Sequence, residues 1–275
     1  MNEVGNSEML YHYTSFFALE KILRNKTLRL GDLQSMNDCK ETVYFMDMLE
    51  SEIINQLAEH SLKRRAKELM KKARGQVLTD KAYAFCLSEI RDDVAQWDRY
   101  AHKGQGISIG FSRRRLEHFL KNNYGYCYLQ SVFYNKDIQK HEHLRILQEY
   151  LTSGHLEGFS DLDGWINNLH ATASAFKHPS FASEKEVRIL SVPGPEKIAC
   201  CSGRVMYEAK GDRIKGYFEM DIPSDILEQI IAEIIIGPCS SQTEVELSDI
   251  LTWWGYSSIA GLDRIRRSEC PLRLS

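Results

Sequence analysis

EKEVRILSVPGPEKIACCSGRVMYEAKGDRIKGYFEM, residues 184–220, decides the fold class. It carries three strand candidates in succession, 184–190, 203–208 and 214–220, with no helical stripe between them. EIIIGP (233–238) is a further strand candidate, followed by a helix over 243–254 and a last strand at YSSIA (256–260). A doubly wound chain alternates strand and helix along its length. This one does not, which predicts an α+β domain.

Upstream the pattern is mixed. Met9–Tyr13 alternates as a strand, Ser15 stands where a helix N-cap would, and Phe16, Leu19, Ile22 and Leu23 follow at helical spacing. A long helical region, broken once, runs from Cys39 to about Gly75, with Val43, Met46, Leu49, Ile53, Leu57 and Leu69 among its apolar positions. It reads as an early helical insertion, about 39–75, in a single domain over 1–275. AYAFCL (82–87) and GISIGF (106–111) are strands bracketing a helix, DDVAQWDRYA (92–101), whose acidic first turn suits the helix dipole. Segments 114–122 and 137–176 read as mostly helical, and YCYLQSVFY (126–134) as a strand. Gly104 and Gly106 look like turn glycines, too short a pattern for a dinucleotide fingerprint.

Composition narrows the class. With 43% hydrophobic and 27% charged positions, the chain can build a packed core. No run approaches the roughly 18 apolar residues of a membrane span, and MNEVGNSEML lacks the basic start and apolar stretch of a signal peptide. The expected location is the cytoplasm, with no membrane partner. The seven cysteines include no C-x-x-C pair, and His141 and His143 read as surface residues, so no metal is expected. The net charge of −3 argues against a protein that coats nucleic acid wholesale. Basic patches remain: seven Lys/Arg in SLKRRAKELMKKARG (61–75), RRR at 113–115, and RIRR at 264–267 followed by Arg273. Each is either a solvated face or a phosphate-contacting surface.

Two stretches carry candidate chemistry. Along the strand at 184–190 side chains alternate, so Glu184, Glu186, Arg188 and Leu190 share one face and Val187 and Ile189 the other. If the second face is core, the first presents Glu186 beside Arg188, either as mutually neutralising neighbours or as a site carboxylate with its guanidinium. In the helix at 92–101, Trp97 and Tyr100 fall at i and i+3, either as core or as rings for a ligand. Arg91 and Gln96 suit recognition of a phosphate or an amide. The chain has no G-x-S-x-G, P-loop, H-E-x-x-H or aspartyl pair, so several common enzyme classes lose their usual support.

Six ordered blocks carry a resemblance. They are Y-H-Y-T-S…L-x-x-I-L-x-x-x-x-L (11–28), M-N-D (36–38) with Glu41, F-C-L-S-E-x-R-D-D-x-x-Q-W-x-x-Y…G-x-x-I-G-F (85–111), K-H-P-x-F-x-x-E-K-E-V-R (177–188), E-I-I-I-G-P (233–238) and S-x-x-P-x-R (268–273). Together they resemble the prokaryotic family termed domain of unknown function 2971. A more remote similarity joins the opening H-x-T and its short helix to ADP-ribosyltransferases of the His-Tyr-Glu type. That similarity implies an ADP-ribosyltransferase-like domain, with a mixed or antiparallel split sheet flanked by helices.

It also implies NAD as substrate and ADP-ribose transfer to an RNA, DNA or protein acceptor, or to water, as in bacterial anti-phage or toxin systems. Matched residue by residue, His12 takes the place of the histidine that holds the adenine-side ribose, and Glu186 that of the catalytic glutamate. Tyr100 is the choice for the aromatic that stacks on nicotinamide, with Trp97 and Tyr13 as rivals. Thr14 completes H-x-T, and Arg188 or Arg91 would hold the pyrophosphate. This chain departs from the pattern at Tyr13, where many relatives carry glycine, and in the helices inserted after residue 39.

The chemistry suits these residues. A fixed carboxylate stabilises positive charge that develops on ribose when the nicotinamide bond breaks. A neutral imidazole offers one donor and one acceptor to a ribose edge. The alternatives are a nucleic-acid-binding or processing module working through its basic patches, and an interaction protein with a degenerate nucleotide pocket.

Overall fold

The computed structural model describes residues 7–35, 40–155, 161–192 and 203–272. The opening stretch folds as its pattern predicts. β1 (Met9–Thr14) ends at Ser15, whose side chain accepts from Ala18 N and caps α1 (Phe16–Asn25); Leu19, Ile22 and Leu23 are buried. Lys26, at φ 59°, then reverses the chain into β2 (Thr27–Asp32), a strand the sequence reading does not anticipate. Only Leu28 and Leu30 carry its alternation, and it follows the helix without a breaker.

The remaining elements are α2 (Lys40–Gln56), α3 (His60–Thr79), β3 (Tyr83–Ser88), α4 (Val94–Tyr100), β4 (Ile107–Ser112), α5 (Arg113–Asn123), β5 (Cys127–Ser131), α6 (Lys136–Ser153), α7 (Leu162–Ser174), a 3-10 turn (Pro179–Glu184), β6 (Glu186–Ser191), β7 (Arg204–Lys210), β8 (Arg213–Asp221), α8 (Ser224–Ile230), β9 (Ile231–Ile236), α9 (Glu244–Trp253) and β10 (Ile265–Arg267). The expected strand at 256–260 is absent. Those residues form turns that bury Tyr256, Ile259 and Ala260, and Tyr256 Oη donates to Leu23 O at 2.6 Å. Apolar character there signals burial without a ladder, and the last strand falls instead in the basic run, parallel to β9. Helix α8 is likewise unanticipated. The tight turn between α4 and β4 uses Gly104 at φ 82°, as the turn reading expects.

The strands build one mixed, mostly antiparallel open sheet in the order β10-β9-β4-β1-β3-β2-β8-β7. β3 organises its centre. Along one edge it pairs with β6 through all six residues, and β6 continues to β5. Its other edge is shared: β2 takes the start, at Asp32↔Tyr83 and Gly31↔Ala84, and β1 only the end, at Tyr11↔Ser88. The sheet therefore splits between β1 and β2, and the middle of β3 faces the gap.

One face of the sheet is closed by α1, α5, α8 and α9 over Leu10, Phe85, Leu87, Ile109, Val187, Ile189 and Phe218, all buried. Val187 and Ile189 thus take the core face expected of them. A second apolar cluster joins the inserted helices to α6 and α7 through Phe45, Met70, Leu147, Trp165 and Phe176. Full burial of one such side chain contributes about 1.5–3 kcal/mol. His143 belongs to this region and is not a surface residue: it is buried, its Nε2 lies 3.0 Å from Thr172 Oγ1, and burial pushes its pKa down to about 4. Spacing alone could not show that α6 is covered on that side. Among the described residues no helix is long and apolar enough to cross a membrane.

Candidate active site

The split leaves a backbone group in need of a partner. β1 has already diverged at Cys86 and β2 has not yet arrived, so the Cys86 carbonyl faces the gap. His12 fills this place, with Nδ1 2.9 Å from Cys86 O and its ring stacked on Phe85 at 4.2 Å between centroids. A carbonyl only accepts, so Nδ1 carries the proton. Burial lowers the His12 pKa to about 4, although the Cys86 bond works the other way. The ring is therefore neutral at pH 7, and Nε2 is left as an acceptor.

Tyr13 points to the opposite face of β1. Its hydroxyl donates to Ile90 O at 2.9 Å and accepts from Asp93 N at 3.2 Å. Asp93 caps α4 by accepting from Gln96 N at 2.9 Å. The helix then separates its two rings by environment. Trp97 is fully buried, edge-on to Tyr13, with Nε1 donating to Asp92 Oδ1 at 2.5 Å. Tyr100 stays 46% exposed, and its hydroxyl donates to Glu184 Oε1 at 3.0 Å.

Glu184 and Glu186 flank Lys185, whose φ of 42° turns the chain in the left-handed region between the 3-10 turn and β6. Both carboxylates meet the buried ammonium of Lys177, at 2.7 Å from Glu184 Oε2 and 3.0 Å from Glu186 Oε2. Arg188, next on the same strand face, donates from Nε to Glu186 Oε1 at 2.7 Å and from Nη1 to Ser174 O at 2.7 Å. Arg99 reaches Glu184 Oε1 at 3.0 Å. Burial opposes the charge of Glu186, but Arg188 and then Lys177 outweigh it and hold the carboxyl at about pKa 2. Burial likewise opposes the charge on Lys177, and the two carboxylates push its pKa up.

These residues border two adjoining cavities. The first, of about 500 Å³, brings together His12, Tyr13, Gln96, Tyr100, Glu186 and Arg188. The second, of about 550 Å³, lies toward α1, β2 and β8 and is bordered by Thr14. They share His12, Cys86, Tyr100 and Lys215. Trp97 and Arg91 border neither. Arg91 pairs with Glu233 at 3.0 and 2.9 Å, and the same carboxylate accepts the Tyr11 hydroxyl.

Sequence reasoning passed over two members of the site, Glu184 as a holder of Tyr100 and Lys177 as the cation between the glutamates. E-K-E spacing put Glu184 on the right side but in a strand it does not join; Lys177 has no periodic relation to β6. Met36, Asn37, Asp38, Cys39, Cys200, Cys201 and Arg273 lie outside the described residues, as does the side chain of Glu41. Among the described residues no group of three or more His, Cys, Asp or Glu side chains could hold a metal ion.

The fold and site define an α+β protein whose open sheet splits beside a charged, partly enclosed cavity. Residues 96–189, from α4 to β6, match the model of a family described as protein of unknown function, DUF2971, so the resemblance read from the sequence holds over this stretch. The matched segment contains Trp97, Tyr100, Lys177, Glu184, Glu186 and Arg188. No curated protein and no solved structure matches the chain.

Proposed function

We propose that the protein cleaves the bond between nicotinamide and ribose in NAD and passes ADP-ribose to a macromolecule or to water. The observation that carries this reading is the meeting of His12, Tyr100 and Glu186, from three elements far apart in sequence, around one cavity at the split of the sheet. His12 Nε2 is an acceptor for a ribose hydroxyl, since Nδ1 is committed to Cys86. Tyr100 offers a half-exposed ring anchored at its hydroxyl, which suits stacking better than the buried Trp97. Glu186 is ionised at neutral pH and held from both oxygens. Its fixed negative charge stabilises positive charge developing on ribose more than it stabilises the ground state.

The residues fit such a substrate. Each cavity falls within the range of about 300–1,000 Å³ common for ligand sites. Arg188 is committed to Glu186 and Arg91 to Glu233, so the cation best situated for a pyrophosphate is Lys215, where the two cavities join. An NAD-consuming activity also suits the toxin or anti-phage setting that the resemblance implies. Incubation with NAD, followed by chromatography for nicotinamide and by melting with and without NAD, tests the reading. Nicotinamide release and a raised melting temperature are expected; a protein that shows neither contradicts it.

A second reading, contact with nucleic acid, rests on α3. Its Ala66, Met70, Ala73 and Val77 face the core, and Arg64, Lys67 and Lys71 lie exposed, with no ion-pair partner among the described residues. Reversing these three to Glu should weaken RNA or DNA binding and flatten its salt dependence. Unchanged binding would leave α3 as a solvated face.

A further inference from the structure

The ion network beside the cavity holds more charge than the Glu186 carboxylate needs for neutrality. Arg188 alone would compensate it, from the same strand face, at 2.7 Å. A second cation nevertheless joins Arg188 Nη2 (3.3 Å) on its other oxygen, at 3.0 Å, and that cation is shared with a second carboxylate. All four groups are nine-tenths or more buried, at 3% exposure for Lys177, 5% for Glu184, 7% for Glu186 and 4% for Arg188. Desolvating each charge is costly, and well-packed apolar side chains would serve stability as well or better. The chain also holds Lys185 in the left-handed region between the two glutamates, a strained conformation for a residue that carries a Cβ. That turn is pinned from the end of β3 and the residue after it: Ser88 Oγ donates to Glu184 O at 2.7 Å and Glu89 N to Lys185 O at 3.0 Å.

We propose that Lys177, held by Glu184, is a positioning residue that fixes Glu186 and Tyr100 as one unit. Lys177 sets, at 3.0 Å, the Glu186 oxygen that Arg188 holds only through Nη2 at 3.3 Å, and Glu184 carries the constraint on to the Tyr100 hydroxyl 3.0 Å from its other oxygen. Carboxylate and ring therefore keep a fixed separation across the cavity. The inference rests on the NAD reading, because it assigns these two groups to one substrate.

Charge balance gives it a signature. Without Lys177, the two buried carboxylates keep one buried cation, Arg188, and the half-exposed Arg99, and one of them takes up a proton more readily. The groups that face the pair are Arg188 and the Cys86 thiol at Glu186, the Tyr134 hydroxyl that accepts from Glu186 N, and Arg99 and Tyr100 at Glu184. Burial raises the pKa of Cys86, Tyr134 and Tyr100, so none of them titrates on the acid side. His12, lowered to about 4, borders the same cavity but is common to every variant.

The experiment is nicotinamide release against pH for the wild type, K177M, K177R, E184Q and the double variant K177M/E184Q, with melting curves for each. K177M is expected to lose about tenfold or more in kcat with little change in KM, as for an interaction used mainly in the transition state. Its acid limb, set near 4 by His12 in the wild type, should move above that value, the direction set by two like charges left together. K177R should keep most of the activity, and the double variant, which restores the charge balance, should bring the acid limb back toward wild type.

If K177M does not fold, E184Q and K177R decide: a kcat lowered several-fold in E184Q and retained in K177R supports the pair, and a wild-type kcat in E184Q overturns it. An active wild type whose variants keep its kcat and acid limb overturns this inference alone. A wild type that releases no nicotinamide overturns the NAD reading and this inference with it.

Discussion

His12 Nδ1 lies 2.9 Å from the carbonyl oxygen of Cys86, across the gap where β1 and β2 part. The imidazole serves as a backbone partner that no strand supplies, and its position is set by the topology of the sheet. His12→Phe keeps the stacking on Phe85 but leaves the carbonyl unsatisfied, at about 1–3 kcal/mol. Its melting temperature should fall accordingly, and NAD should no longer raise it. Full NAD stabilisation of the variant would remove His12 from the site.

Acid should destabilise the protein before it reaches the carboxylates. His12 and His143 are each lowered from 6.5 to about 4 by burial, so the unfolded chain binds their protons first. Their contribution is complete above pH 6.5 and is lost as pH falls from there toward 4. Glu186, lowered from 4.5 to about 2, adds its own loss only below pH 4.5. Melting temperature followed from pH 7 to pH 3 should decline in both windows. His143→Gln should flatten the upper one without touching the lower, and an identical slope in that variant would contradict the buried-neutral assignment.

The two rings of α4 should separate stability from activity. Trp97→Ala empties a fully buried site and should cost about 3–5 kcal/mol. Tyr100→Ala removes a half-exposed ring and should cost much less, while impairing nicotinamide release more per unit of stability lost. The reverse order in paired melting and turnover measurements would move the stacking role to Trp97.

Much of this architecture was legible because periodicity and caps act locally. Ser15 before Phe16, Leu19, Ile22 and Leu23 announced α1, and the alternation of Val187 and Ile189 announced the core face of β6. What stayed hidden depends on which elements meet. Thr27–Asp32 becomes a strand because β3 and β8 lie on either side of it, and Ile259 is buried within turns. His143 looked exposed because the cover over α6 comes from Thr172 in α7. Within the site, Glu186 beside Arg188 followed from strand geometry. The ammonium between Glu184 and Glu186 did not, since Lys177 arrives from a loop whose path only the folded chain defines.

The most direct measurement of the central claim is nicotinamide release from NAD by wild type and Glu186→Gln side by side at neutral pH, with melting curves to establish that both are folded. The amide keeps the shape of Glu186 and removes its charge. Wild type should release nicotinamide, and the folded variant should lose that activity by a factor of about 100 or more, the scale on which one electrostatic stabiliser acts. A folded Glu186→Gln protein that releases nicotinamide at the wild-type rate would contradict the account.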